Sequence, residues 1–341
     1  MIVAFLVLVV GLASGFAFLN GFRDVSNAVA LSTRTRALTP SVAVLLAAVF
    51  NFIGAMLSGS FVLAFTQSWI TLPNGIGGLS MLTSALAASI IWGVYAWWRG
   101  IPLSSTNSLV GGLIGAGAAS ALVGGNSING VDNVLLTQVA LPLVLSPLIA
   151  FVAAYLLVWP VTWAARYTQP NVINRRFRRA QAVSAAAVAF GHGLQDGQRT
   201  AAVLLLALVA AGLSSGGELP LWILLLTAIM LTAGTMFGGW RISHTLGHKL
   251  IRVDPLRGFV AQTLTSVMLF VGAIGLQLPL STTHTLTASV LGAGTNQRFA
   301  TTNRRLVRRI LLFWVATPLV TAAAAFVLEL AFSPLADLRP N

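Results

Sequence analysis

The chain has 341 residues, 57% of them hydrophobic and 8% charged, with a net charge of +13 and a mean hydropathy of +0.87. A soluble domain carries about 25% charged residues, so the composition excludes an ordinary soluble protein and points to a polytopic, all-α membrane protein. Such a basic balance could suit nucleic acid, but in an apolar chain Lys and Arg gather in cytoplasmic loops and beside anionic lipid, so the expected partner is the bilayer and not nucleic acid.

Apolar stretches of 18 or more residues recur from end to end, each long enough to cross roughly 30 Å of hydrocarbon. The first, "MIVAFLVLVVGLASGFAFL", has no basic segment before it and no cleavage pattern, and reads as a membrane span, not a removed signal. It runs into "NGFRDVSNAVA" (20–30), where two amides and two opposite charges interrupt the apolar pattern and predict a break in the helix. Arg34 and Arg36 follow, which places the N-terminus outside. Residues 37–66 return outward to the uncharged "TQSWITLPNGIGG", and 80–98 come inward to Arg99. Residues 101–124 lead out to a loop around Asp132, and 134–158 return to "RRFRR" (175–179), the strongest cytoplasmic marker.

From there 181–212 run outward and 220–239 inward to a basic loop from Arg241 to Arg257. Residues 258–278 go out, 279–297 return to "RFATTNRRLVRR", and 309–331 go out, with Glu329 expected at the interface. The sum is about ten spans, five in each half, with both termini outside. Five is odd, so the halves face opposite ways, which is a transporter signature. The expected division is a first inverted repeat over 1–165, a basic cytoplasmic linker over 166–180 and a second repeat over 181–341.

The halves match at polar positions. "NGFRDVSNAVAL" pairs with "GHGLQDGQRTAAVL", and "IPLSSTNSLVGGLIGAG" (101–117) pairs more closely with "LPLSTTHTLTASVLGAG" (278–294). Both pairs lie roughly 175 residues apart, as one duplicated unit would. The second pair is too polar and Gly-rich for plain spans. Irregular backbone at membrane depth is tolerated only where protein or a water-filled cavity satisfies it, so both read as re-entrant hairpins. Their Ser/Thr tips would open half-helices whose free N–H groups favour an anion; the alternative is hydroxyls bonded back to their own helices.

These motifs, in order and in both halves from residue 15 to about 325, resemble the inorganic phosphate transporters of the PiT type, most nearly the bacterial low-affinity permeases. The resemblance implies secondary transport of phosphate driven by a cation gradient, without ATP, and a homodimer. Three positions depart from that pattern: Arg23 and Gln195 before the motif aspartates, and Asn107 in place of a histidine that the second copy keeps as His284.

Asp24 and Asp196 are the acidic residues that fall in the repeated motif. An ionised carboxylate at membrane depth costs at least about 3 kcal/mol unless paired, protonated or bound to a cation, so each is expected to hold the coupling cation, a proton or sodium, or to take up the proton itself. The competing reading is an ion pair, Asp24 with Arg23 or Asp196 with Arg199, which requires broken helices because adjacent residues on a helix do not face each other. The phosphate donors would be Ser104, Ser105, Thr106, Ser281, Thr282 and Thr283, joined by Asn27, Gln195, Gln198 and Thr200; Asn27 could also ligate the cation. Arg23 and Arg199 would add fixed positive charge, although the stem of Arg23 could instead snorkel to the cytoplasmic interface. Among four histidines, His244 and His248 fall in a basic loop, and His284 is favoured for a proton role.

No organic cofactor is expected, and the absence of cysteine excludes a thiolate metal site. No metal is assigned beyond a cation at Asp24 and Asp196. An intramembrane enzyme is disfavoured, because Ser281 and His284 lack a counterpart pair in the first copy. A passive channel, sulfate or another tetrahedral oxyanion, and a metal–phosphate complex as cargo all stay open.

Overall fold

A computed structural model of the chain describes residues 1–59, 72–123, 141–276, 280–297 and 302–336. The expected loop around Asp132, the outer loop through residue 71, and Pro279 of the second Pro-Leu-Ser lie outside the described residues.

Where the sequence offers apolar runs, helices form, and Pro residues at their first turns set several starts. They are α1 (Ile2–Arg34), α2 (Pro40–Met56), α3 (Ile76–Trp98), α4 (Ser105–Leu122), α5 (Leu141–Ala165) and α6 (Pro170–Ala210). Then come α7 (Leu221–Phe237), α8 (Trp240–His244), α9 (Pro255–Phe270), α10 (Thr282–Thr295) and α11 (Arg304–Ala336). Two π-helical turns, Thr245–Leu250 and Val271–Gly275, prolong α8 and α9. The protein is an all-helical membrane protein. Among the described residues, four helices (α1, α3, α5 and α11) are long and apolar enough to span a bilayer, and the α7–α8 pair, bent by 58°, makes a fifth if it is one span.

Three expectations need correction. First, residues 20–30 do not break the helix, and neither does the equivalent stretch of the second half. α1 runs unbroken for 33 residues and α6 for 41. Asn20, Arg23, Asp24 and Asn27 fall at i, i+3, i+4 and i+7, one stripe of a regular helix, and neighbouring helices satisfy much of that stripe without unwinding the backbone. Second, Arg241 to Leu250 is helical, with Ile242, Leu246 and Leu250 buried, so the inner loop is shorter than the basic residues suggested. Third, Glu329 does not face the interface: it is buried at 3% exposure between helices. The basic segment Arg175–Arg179 forms the first turns of α6. His244 and His248 are exposed, ring stacked on ring, on this helical stretch and not in a loop.

Glycines set how closely the long helices pack. α1 lies on α7, where Gly21 meets the Leu231 carbonyl and Gly234 meets that of Phe18; α2 lies on α6, where Gly54 meets Phe190 and Gly193 meets Asn51. A Cβ at any of the four would run into backbone. α4 packs on α11 (Gly111 at Pro318, Gly115 at Ala322), and α5 packs on α10 (Gly292 at Phe151, with Asn296 Nδ2 donating to Tyr155 O). In the α4–α11 and α5–α10 pairs the residue numbers climb together, so those partners run parallel, as do α2 and α6, where Gly193 meets Asn51 and Gly197 meets Ala55. α1 and α6 run antiparallel, because Asp24 sits beside His192 while Thr35 Oγ1 donates to Gln181 Oε1 at 2.6 Å.

Candidate functional site

Two stripes meet where α1 crosses α6. From α1 come Arg23, Asp24 and Asn27; from α6 come His192, Asp196 and Arg199 at i, i+4 and i+7. All six are buried to 4% exposure or less. Arg199 Nη2 pairs with Asp196 Oδ1, and its Nε donates to Gln195 O at 3.1 Å. His192 Nε2 lies 2.5 Å from Asp196 Oδ2 and 3.9 Å from Asp24 Oδ2. Arg23 Nη2 lies 3.6 Å from Asp24 Oδ1 and donates to Leu103 O at 2.8 Å.

Both ion pairs therefore exist inside regular helices, against the expectation that they need a break. Asp196 and Arg199 are i, i+3 neighbours, which share a face. Arg23 and Asp24 are adjacent, yet the arginine stem is long enough to bring Nη2 to 3.6 Å from Asp24 Oδ1. Nor does Arg23 snorkel: its guanidinium is anchored at the site, in space left by Gly93, where a Cβ would lie 2.9 Å from Nη1.

His192 is the residue that the sequence undervalued. Its surroundings fix its tautomer through the hydrogen-bond network. Thr235 Oγ1 gives its only hydrogen to Leu231 O (2.9 Å), so Asn51 Nδ2 must donate to Thr235 Oγ1 (2.8 Å). That leaves Asn51 Oδ1 as the acceptor 2.9 Å from His192 Nδ1, which must carry a hydrogen. The short Nε2–Asp196 contact holds a second proton, whichever atom owns it. The spacing of His192 four residues before Asp196 was the available signal; Asn51, an amide in an otherwise apolar helix, was the other.

The two Ser/Thr tips arrive from α4 and α10. Each helix starts in the interior after extended residues, with matching caps: Ser104 Oγ accepts from Asn107 N and Ser281 Oγ accepts from His284 N, both at 3.2 Å. One turn of α1 touches both tips. Ser105 Oγ donates to Asp24 Oδ2 (3.3 Å), and Asn27 Nδ2 donates to Thr283 Oγ1 (3.1 Å). Trp314 of α11 ties the tips together, stacking on His284 at 3.9 Å between ring centroids and donating from Nε1 to Pro102 O at 3.1 Å. The hydroxyls of Thr106, Thr282 and Thr200 are buried without a partner. The N–H groups ahead of those capped ones, of Ser105 and Thr106 in α4 and of Thr282 and Thr283 in α10, have no intrahelical acceptor. Together they are donors awaiting an acceptor.

Other expected residues sit at the margin. Gln195 Nε2 turns toward Leu269 O at 3.5 Å, Gln198 is buried, and His284 faces Trp314. Ligand atoms of Asp24, His192 and Asp196 lie within 4.8 Å of one another, a set able to embrace a cation. Yet two guanidinium groups and the proton shared by His192 and Asp196 already outweigh the two carboxylates, so the cluster carries about one net positive charge with nothing added.

A family model described as "Phosphate transporter family" matches residues 20–325. The chain belongs to that family. The transporter is 36% identical over 334 residues to a "Probable low-affinity inorganic phosphate transporter" of Bacillus subtilis (strain 168), covering 96% of this chain and 98% of the relative. A relative of the same description from Rhizobium meliloti (strain 1021) is 37% identical over 333 residues, covering 95% and 97%. A solved structure titled "The sodium-dependent phosphate transporter" superimposes with a TM-score of 0.85 at 22% identity, covering 97% of this chain and all of that one; at that identity the likeness concerns the fold. The protein is an inorganic phosphate transporter of the PiT family, a multi-pass membrane protein and not an enzyme.

Proposed function

We propose that the transporter is a symporter that moves inorganic phosphate with a proton or sodium ion, by alternating access about the crossing of α1 and α6. The observation that carries this reading is the double contact of α1: Asp24 with the first Ser/Thr tip and Asn27 with the second, beside a charge-balanced His192–Asp196 pair. Phosphate oxygens would accept hydrogen bonds from Ser104, Ser105, Thr106, Ser281, Thr282, Thr283 and Thr200, with Asn27, Gln195 and Gln198 around them. Arg23 and Arg199 supply positive charge but are held by Leu103, Asp24 and Asp196, so they attract the anion without clamping it. Neutral hydroxyl donors release an anion more readily than a free arginine fork does. Asp24 and Asp196, with His192 between them, take the coupling cation.

Alternating access would follow from two inverted five-span repeats, about 1–165 and 181–341, joined through the basic 166–180 segment, with both termini outside a bacterial cytoplasmic membrane. The antiparallel α1 and α6, and the exchange by which each half packs its helices on the other's, support that reading. Each Ser/Thr tip then belongs to a re-entrant element at mid-membrane, and the assembled protein is a homodimer.

Uptake of labelled phosphate into proteoliposomes, with proton and sodium gradients imposed separately, tests this. Wild type should accumulate phosphate against its gradient with one of the two, and Asp24→Asn should lose that accumulation. Equilibration without accumulation would mean a passive channel, and equal uptake of sulfate would mean a broader oxyanion permease.

A further inference from the structure

Glu329 lies outside the site just described. It is near the end of α11, buried at 3% exposure, and its carboxyl sits between two serines of α3. Ser80 Oγ is 2.6 Å from Oε1, and Ser84 Oγ is 2.8 Å from Oε2. Ser80 Oγ is also 2.9 Å from Gly77 O. These three oxygen–oxygen contacts need three hydrogens. The two serines own two. The third has to come from Glu329 itself: Oε1–H donates to Ser80, Ser80 donates to Gly77 O, and Ser84 donates to Oε2.

The surroundings agree with that count. No ion pair involves Glu329 among the described residues. α3 and α4, which pack against α11, carry no charged residue, and the charged residues of α11 other than Glu329 (Arg304, Arg305, Arg308 and Arg309) lie at its opposite end. α1 meets this region through Phe5 against Phe332; its nearest titratable group is the exposed Met1 amine, and Arg23 lies several turns away. An ionised carboxylate buried here would face no cation, at a cost of several kcal/mol.

Distance along the helix separates this carboxyl from the α1–α6 cluster. Twenty residues from Arg309 to Glu329 span about 30 Å of α-helix, whereas Asp24 is about 15 Å from Arg34. Glu329 therefore lies at the membrane end away from the basic residues, and Asp24 lies at half depth.

We propose that Glu329, Ser80 and Ser84 form a second proton-binding site, which ties α11 to α3 when its proton is present and lets that end part when the proton leaves. α4 lies against both helices and starts at the first Ser/Thr tip, so the tie holds the layer that presents Ser104 and Ser105 to the centre.

The test uses the full-length transporter in nanodiscs, by difference infrared spectroscopy and by melting temperature against pH. Glutamine at 329 can donate to Ser80 and accept from Ser84, so Glu329→Gln keeps all three contacts but has no proton to lose. At neutral pH wild type should show the C=O stretch of a protonated carboxyl that Glu329→Gln lacks. Stability tied to a bound proton is present at low pH and lost as pH rises. Wild type should therefore melt earlier at alkaline pH, and Glu329→Gln should lose that dependence. Ser80→Ala removes the acceptor of the carboxyl hydrogen and should move the wild-type transition to lower pH. Absence of the band, or superimposable pH profiles for wild type and Glu329→Gln, overturns the proposal. Should Glu329→Gln fail to fold, an unmoved transition in Ser80→Ala overturns it alone. Neither readout involves phosphate, so this site stands or falls separately from the transport cycle.

Discussion

Arg23 and Asp24 show why a charged pair survives inside an apolar helix. Each ion is held by more than the other: the guanidinium by the Leu103 carbonyl, the carboxylate by the Ser105 hydroxyl and the nearby His192. Removing one partner of a buried pair leaves an uncompensated charge and typically costs about 3–5 kcal/mol. Arg23→Gln should lower thermal stability by an amount of that order, and adding Asp24→Asn should restore part of it. A double-mutant cycle read by melting in detergent checks the coupling; additive losses would mean that the two do not interact. Asn51 acts at one remove from the ions. Asn51→Leu would strand the His192 Nδ1 hydrogen and the Thr235 oxygen, a buried loss of about 1–3 kcal/mol, and should weaken phosphate uptake more than Phe52→Leu one position on, which leaves that chain of hydrogen bonds intact.

At the scale of helices, close approach positions these groups. Gly193 lies against the backbone of Asn51, so the glycine that lets α6 touch α2 also brings the amide to His192. Gly193→Ala should force the helices apart, costing about 1–3 kcal/mol from overpacking, and should impair uptake because Asn51 moves. Gly11→Ala is the control: nothing lies within 4 Å of its added Cβ, and alanine is the better helix former by about 1 kcal/mol, so melting should hold or rise. Equal losses in both variants would refute the close-contact account. This level also shows what the sequence could reveal. The apolar runs announced most helices, and the duplicated Pro-Leu-Ser motifs announced both caps, because capping depends on neighbours along the chain. The unbroken α1 was not legible. Polar residues at i, i+3, i+4 and i+7 look alike in a broken helix and in a continuous one whose partners come from Leu103, Ser105 and Thr283. His192 and Glu329 were underrated for the same reason: their partners are far away in sequence.

For the whole molecule, the exchange of partners between halves makes the centre a shared product. α1 needs α7, α6 needs α2, and neither half alone assembles a site in which Asn27 meets Thr283 across 256 positions. Such an arrangement fixes the relative direction of the halves but not which end of α1 faces the cytoplasm; that rests on charge. Arg175–Arg179 open α6 and Arg34 closes α1, and these ends adjoin, so the basic residues of both halves share one membrane face, which the positive-inside rule assigns to the cytoplasm. The chain contains no cysteine, so single introduced thiols report topology without background. Tyr167, 88% exposed in the turn between α5 and α6, should lie inside; Ser215, exposed between α6 and α7, should lie outside. A membrane-impermeant maleimide applied to intact cells should therefore label Ser215→Cys and spare Tyr167→Cys until the cells are opened. The reverse pattern would turn the molecule over, placing Glu329 at the cytoplasmic end while leaving every contact at the α1–α6 crossing unchanged.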